Sequence, residues 1–133
     1  MPGPVSSLRV ELPYPPAGLS PNSRLHWRAK AQLTAHYRED AGWAAIKARS
    51  DATRDNWLLR PPVEAHVVFY VPDKRRRDQD NLLAMLKPAW DGMVDAGLLV
   101  DDDAAHFRVG AVSIEVGTPR VVVMLKRQEV SNE

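Results

Sequence analysis

Cysteine is absent from the 133 residues. That excludes disulfide staples and thiolate metal sites, and it suits a reducing compartment. Long apolar runs are missing too: nothing approaches the roughly 20 consecutive apolar residues of a membrane-spanning helix. The opening Met1-Pro2-Gly3-Pro4 has neither the charged nor the apolar region of a secretory signal. A cytoplasmic protein with no membrane partner is therefore expected. An excess of one charge is lacking as well. Eighteen Lys and Arg stand against 17 Asp and Glu, a net charge of +1, which excludes a uniformly basic or acidic surface. The information lies in where the charges sit.

Repeats and low-complexity stretches are not found. One domain over residues 1–127 with a frayed polar tail at 128–133 accounts for the length. Leu8, Val10 and Leu12 alternate with polar neighbours and predict a first strand over Ser7–Leu12. Five prolines and glycines between Pro13 and Pro21 predict an irregular loop. From about Ala29 to Arg49, Leu33, Tyr37, Ala41, Ala44 and Ala48 recur at helical spacing, with Trp43 and Ile46 widening the stripe. A polar link, Ser50–Asn56, leads to Trp57-Leu58-Leu59, which are expected to pack on the core. Val63, Ala65, Val67, Phe69 and Val71 then mark a second strand.

Asp80 or Asn81 can cap a second helix bearing Leu82, Leu83, Leu86, Trp90, Met93 and Val94. Pro88 inside that span must kink the helix or begin a new one, and Gly97 is placed to stop it. Two last strands, about 106–116 and 120–126, are joined by Gly117-Thr118-Pro119 and predict a hairpin. The order β-α-β-α-β-β describes an α+β domain, a mixed sheet covered by two helices.

The densest chemistry lies at 74–103. Lys74-Arg75-Arg76-Arg77 runs directly into Asp78-Gln79-Asp80-Asn81, and Asp101-Asp102-Asp103 follows some twenty residues later. In extended backbone Asp78 and Asp80 would point the same way, about 6.6 Å apart at Cα, and could share one ion. Hard oxygen donors without His or Cys beside them suit Mg²⁺, with Mn²⁺ able to substitute. Two carboxylates are few for such an ion, so a third from 101–103 is expected. A cation there would activate water and steady charge on a leaving oxygen. Four adjacent cations are best relieved by a polyanion. Taken singly, an Asp-x-Asp is more often a turn or cap, and a basic run more often a solvated face. Their adjacency favours metal-plus-phosphate chemistry.

Lys87 falls two helical turns after Asp80 and could stabilise developing charge, although on spacing alone an ordinary exposed lysine fits better. Asn22, Arg24, His26, Trp27, Arg28 and Lys30 make a second basic and aromatic patch. Its cations can hold phosphates and its Trp27 can stack on an unpaired base, or else Trp27 is a core anchor. His36, His66 and His106 show no metal spacing.

These residues resemble the RusA-type Holliday junction resolvases, endodeoxyribonucleases found mainly in phages and prophages. The resemblance rests on Pro72 to Leu82, Lys87, Asp91, Ala96-Gly97 and Asp101-Asp102, with Pro15-Pro16 and Asn22 to Trp27 upstream. It covers most of residues 8–116. It implies a RusA-like fold and a Mg²⁺-dependent homodimer that resolves four-way DNA junctions by paired symmetric nicks in recombination and repair. If the chain is phage-encoded, it would act in the host cytoplasm or nucleoid. Asp78, Asp80 and Asp102 take the places of the catalytic, metal-binding carboxylates, with Asp101 or Asp103 as a substitute ligand. Lys87 takes that of the catalytic lysine, at a distance lengthened by Ala84-Met85-Leu86. Lys74–Arg77 and the Asn22–Lys30 patch are then the DNA-binding residues. A two-fold dimer also follows from the substrate, because a junction has two equivalent strands to cut. Its interface could come from Trp57–Leu59 or the second helix. The alternatives are a non-catalytic DNA-binding module and a metal-dependent nucleotide hydrolase.

Overall fold

A computed structural model describes residues 7–52, 62–101, 103 and 105–127. Alternating side chains build strands β1 (Ser7–Leu12) and β2 (Val63–Val71) as expected, with every second residue of β2 buried. Between them runs α1 (Trp27–Ala52), two residues longer at its start than its apolar pattern implied, and carried through Ser50 into the expected link. Its buried face is Tyr37, Ala41, Ala45 and Ala48. Small alanines let the helix lie close to its neighbours, and the Tyr37 hydroxyl donates to the Pro13 carbonyl at 2.7 Å. Such a bond contributes about 1 kcal/mol. Burial raises the Tyr37 hydroxyl pKa well above the ordinary range, with Asp40 and Tyr14 adding to it.

Trp43 and Ile46 do not widen that buried stripe. They are 63% and 46% exposed. At about 100° per residue they lie roughly 240° and 180° around the helix from Tyr37, on the opposite face. Their size made them look like core; their phase puts them outside.

The expected second helix is two helices, α2 (Gln79–Ala84) and α3 (Lys87–Asp95), separated by Met85-Leu86. Pro88 stands in the first turn of α3, where its missing N–H costs nothing, so it begins a helix rather than kinking one. Gly97 stops it at φ +77°. The break also removes the continuous two-turn path by which Lys87 was expected to return to Asp80's side. Leu82, Met85, Leu86, Ala89, Trp90 and Met93 are buried across both helices. Helices α1 and α3 touch at glycine: a Cβ on Gly92 would fall on the Arg38 carbonyl oxygen and lie 3.0 Å from the Gly42 nitrogen.

Strands β3 (Phe107–Val116) and β4 (Arg120–Arg127) form, but not as a hairpin. The sheet order is β1-β4-β2-β3, with β3 parallel to β2 and β4 antiparallel to both β1 and β2. The link Gly117-Thr118-Pro119 therefore crosses the end of β2. Gly117 N–H donates to the Val71 carbonyl at 2.8 Å, and the Arg120 guanidinium stacks 3.9 Å over the Tyr70 ring. Both strands fall where they were expected; a strand's position along the chain carries no information about which neighbour it chooses.

One face of this mixed sheet packs on the helices, where Trp90 meets Phe107 at 4.9 Å between ring centroids. No charged residue is buried in the described core. No helix among the described residues is long and apolar enough to cross a membrane. Trp57–Leu59, the tail at 128–133 and Asp102 lie outside the described residues.

Candidate metal and nucleic-acid site

The loop leaving β2 is organised by Asp73. Its Oδ1 accepts the Arg75 N–H at 3.0 Å, the Arg75 Nε at 3.3 Å and the Arg77 Nη2 at 2.9 Å. Arg77 also donates to the carbonyls of Asp73 and Arg75, at 2.9 and 2.8 Å, and its side chain is only 15% exposed. The Arg75 amide and the Arg77 guanidinium, with the Arg75 guanidinium adding to them, hold the Asp73 carboxyl down to about 2. The four-cation run is thus of two kinds. Arg75 and Arg77 are tied to Asp73, while Lys74 and Arg76 are exposed and make no hydrogen bond or ion pair among the described residues.

Asp78, not Asp80 or Asn81, caps α2. Its Oδ1 accepts the N–H of Asp80 at 2.9 Å and of Asn81 at 3.3 Å. The chain turns helical right after Asp78, so the two carboxylates flank a helix start and are not the extended i, i+2 pair. Asp78 leaves its Oδ2 outside any hydrogen bond, and the exposed Asp80 carboxylate makes none among the described residues. Hard oxygens presented in this way fit a divalent cation of the Mg²⁺ type. Lys87, at the head of α3, donates to Asp91 Oδ1 at 3.1 Å.

The second acidic segment repeats the same carboxylate-to-amide pattern, at a turn into β3 rather than at a helix start. Asp103 Oδ1 accepts the N–H groups of Ala105 and His106, each at 3.1 Å, and meets His106 Nδ1 at 2.6 Å. His106 foremost, with both amides helping, lowers the Asp103 carboxyl pKa. Ligand atoms of Asp101, Asp103 and His106 lie within 4.8 Å of one another, the one such trio among the described residues. His106 was passed over in the sequence. The Asp103-x-x-His106 spacing across one turn was the available signal.

The β2–β3 ladder places the basic loop and His106. The 73–77 loop lines a pocket with Ile114, Glu115 and Val116, at the Val71/Val116 end of the β2–β3 ladder. His106 accepts the Val63 N–H at 2.9 Å, at the Val63/Phe107 end. Eight strand steps, about 26 Å, separate those ends.

The patch at 22–30 is sorted as well. Trp27 is 68% exposed, so it is no core anchor. His26 stacks beside it at 5.7 Å and Arg28 sits 5.2 Å from its ring centre. His26 Nδ1 accepts the Arg28 N–H at 3.2 Å, helping start α1. Lys30 is committed to the Ser20 carbonyl at 3.3 Å, while Asn22 and Arg24 are exposed.

Residues 13–126 match the family described as Endodeoxyribonuclease RusA. The Crossover junction endodeoxyribonuclease RusA of Shigella sonnei strain Ss046 is 30% identical over 125 residues, covering 85% of this chain and 89% of that protein. The enzyme of the same name from Enterobacteria phage 82 is 29% identical over the same shares. An uncharacterised protein of Xylella fastidiosa strain Temecula1 is 39% identical over 98 residues, 70% of this chain; the match spans only 59% of that longer protein.

Proposed function

The chain belongs to the RusA endodeoxyribonuclease family, and from that premise we propose that it is a crossover-junction endodeoxyribonuclease that resolves four-way DNA by paired nicks with Mg²⁺. The observation that carries this is the arrangement at the head of α2: two carboxylates with open oxygens directly after a loop that presents cations. Asp78 Oδ2 and Asp80 would hold the metal with Asp102, or Asp101 in its place. Mg²⁺ or Mn²⁺, when bound, supplies a nucleophilic water at neutral pH and offsets charge on the leaving oxygen.

The chain's own groups do the rest. Asp78 fixes its metal-side oxygen by spending the other on two backbone amides. Lys74 and Arg76 hold the phosphates of the bound strand, and the clamp of Arg75 and Arg77 on Asp73 keeps that loop in shape. Lys87, held by Asp91, takes the part of the cation that meets the phosphoryl group as charge develops. Arg24, Arg28 and the exposed Trp27, with Asn22 and His26, extend the DNA surface.

Ligand atoms on one Mg²⁺ lie no more than about 4 Å apart, so this reading requires the 101–103 carboxylates to meet those at 78 and 80, within one chain or across a dimer. A homodimer is part of this reading, because a two-fold axis matches the two equivalent strands of a junction.

Incubating the protein with a synthetic four-way junction, a linear duplex and a nucleoside triphosphate, each with and without Mg²⁺, tests the proposal. Paired nicks in the junction alone are expected. Junction binding without nicks would favour a non-catalytic module, and phosphate release a nucleotide hydrolase.

A further inference from the structure

The outer face of α1 has a feature that the nuclease reading does not use. Ala35, Glu39, Gly42 and Ile46 recur along α1 at four- and three-residue intervals and line one groove with Asp95 and Ala96, with Trp43 beside them. Gly42 has no side chain, and the gap beside it is the floor of a groove of about 370 Å³ between α1 and the end of α3. Trp43 and Ile46 form its apolar wall. Arg38 and Asp95 close its rim through a paired hydrogen bond of 2.5 and 2.7 Å. A tryptophan and an isoleucine held in water on one stretch of helix are unusual enough to need a cover.

The charges around Trp43 say what fits. Glu39 and Lys47 stand four residues before and four residues after it. Each is therefore about 40° and 6 Å from it, in mirrored directions. If two copies of α1 pack antiparallel about an axis through Trp43, residue 43−n meets residue 43+n of the other copy. Each Glu39 then faces the second copy's Lys47, twice over, with the apolar wall between the two pairs. Among the described residues Lys47 makes only an exposed 3.7 Å contact with Asp51, which a new partner can replace. A segment of unlike sequence has no reason to match that symmetry. A second copy of this chain does.

We propose that this face of α1, with the groove at Gly42 and Asp95-Ala96, is the homodimer interface, each Trp43 seating beside the other copy's Gly42. The inference rests on the dimer of the proposed function and adds its location and register.

Sedimentation velocity on the full chain tests it. The wild type is expected to be a dimer, and Trp43→Glu with Ile46→Glu should weaken association at least roughly a hundredfold. Circular dichroism would show an unchanged fold. Glu39→Lys or Lys47→Glu alone should each weaken the dimer roughly tenfold by setting like charges opposite each other. The double swap Glu39→Lys/Lys47→Glu should restore it, a result that only the mirrored register produces. A monomeric wild type, a dimer that survives the Trp43 and Ile46 changes, or a double swap no tighter than the singles overturns the proposal. The two readings fail separately. A dimer dissociated by these changes that never cuts a junction removes the nuclease and keeps the interface; a junction-cutting dimer indifferent to them does the reverse.

Discussion

Asp78 and Asp103 sit at opposite ends of one crossover and perform the same local task. Each gives one carboxylate oxygen to the backbone amides two and three residues ahead. Their surroundings differ. Asp78 is preceded by four cations and followed by an Asp80 that makes no hydrogen bond among the described residues, whereas Asp103 is bonded to an imidazole and lies within 4.8 Å of Asp101. A capping role therefore does not exclude a ligand role, because a carboxylate has two oxygens and the cap uses one. What separates the two ends is company: cations suited to phosphate at the first, a mixed oxygen and nitrogen donor set at the second.

The sharpest way to break this comparison is to neutralise the carboxylate that has no structural duty. Asp80→Asn should cut single-turnover junction cleavage roughly 10²- to 10³-fold or more. Thermal stability should hold, and junction affinity should be kept or tightened as repulsion of phosphate falls. Retained cleavage, or affinity lost along with it, would return Asp80 to an ordinary helix start.

Asp78 carries both duties, and two substitutions separate them. Asparagine caps helices as well as aspartate does, while alanine does not. Asp78→Asn should lose cleavage and keep its melting temperature. Asp78→Ala should lose cleavage and about 1 kcal/mol of stability. Equal melting of the two variants would mean that the cap contributes nothing.

How much of this was legible in the sequence follows the same division. Period-two alternation identified β1 and β2, and local composition identified the acidic and basic clusters. The partner of β4 was not legible, because alternation describes a strand and not its neighbour. The outward direction of Trp43 and Ile46 could have been had from helical phase, which a large apolar side chain tempts one to ignore. Pro88 allowed two outcomes; only the packing of Leu86 and Trp90 on the core decides between them. Least legible was which atoms are already engaged. Lys74 to Arg77 read as four equal cations, yet two of them are held by Asp73.

That inequality is testable within one tetrapeptide. Arg76→Ala should lower the slope of log affinity against log salt by roughly one, with melting unchanged. Arg77→Ala removes three hydrogen bonds from a mostly covered side chain and should lower the melting temperature by several degrees. Its effect on binding would come through a disordered loop. Identical responses would make the run uniform after all.

The smallest effect concerns Asp73 itself. Its carboxyl, ordinarily near 3.8, is held down to about 2 in the folded chain. A group whose folded pKa is depressed stabilises the fold above its unfolded value, and that contribution disappears as pH falls toward the folded value. The relevant window therefore runs from about 3.8 to about 2, and at neutral pH the contribution is complete. Asp73→Asn removes the titration while leaving an acceptor for the Arg75 amide. Melting temperature plotted against pH should decline less steeply for the variant than for the wild type below pH 3.8. At pH 7 the variant should melt lower, since its neutral amide holds Arg77 less well. Parallel curves through the acid limb would show that Asp73 titrates alike in both states and that the arginine clamp is not what orders this loop.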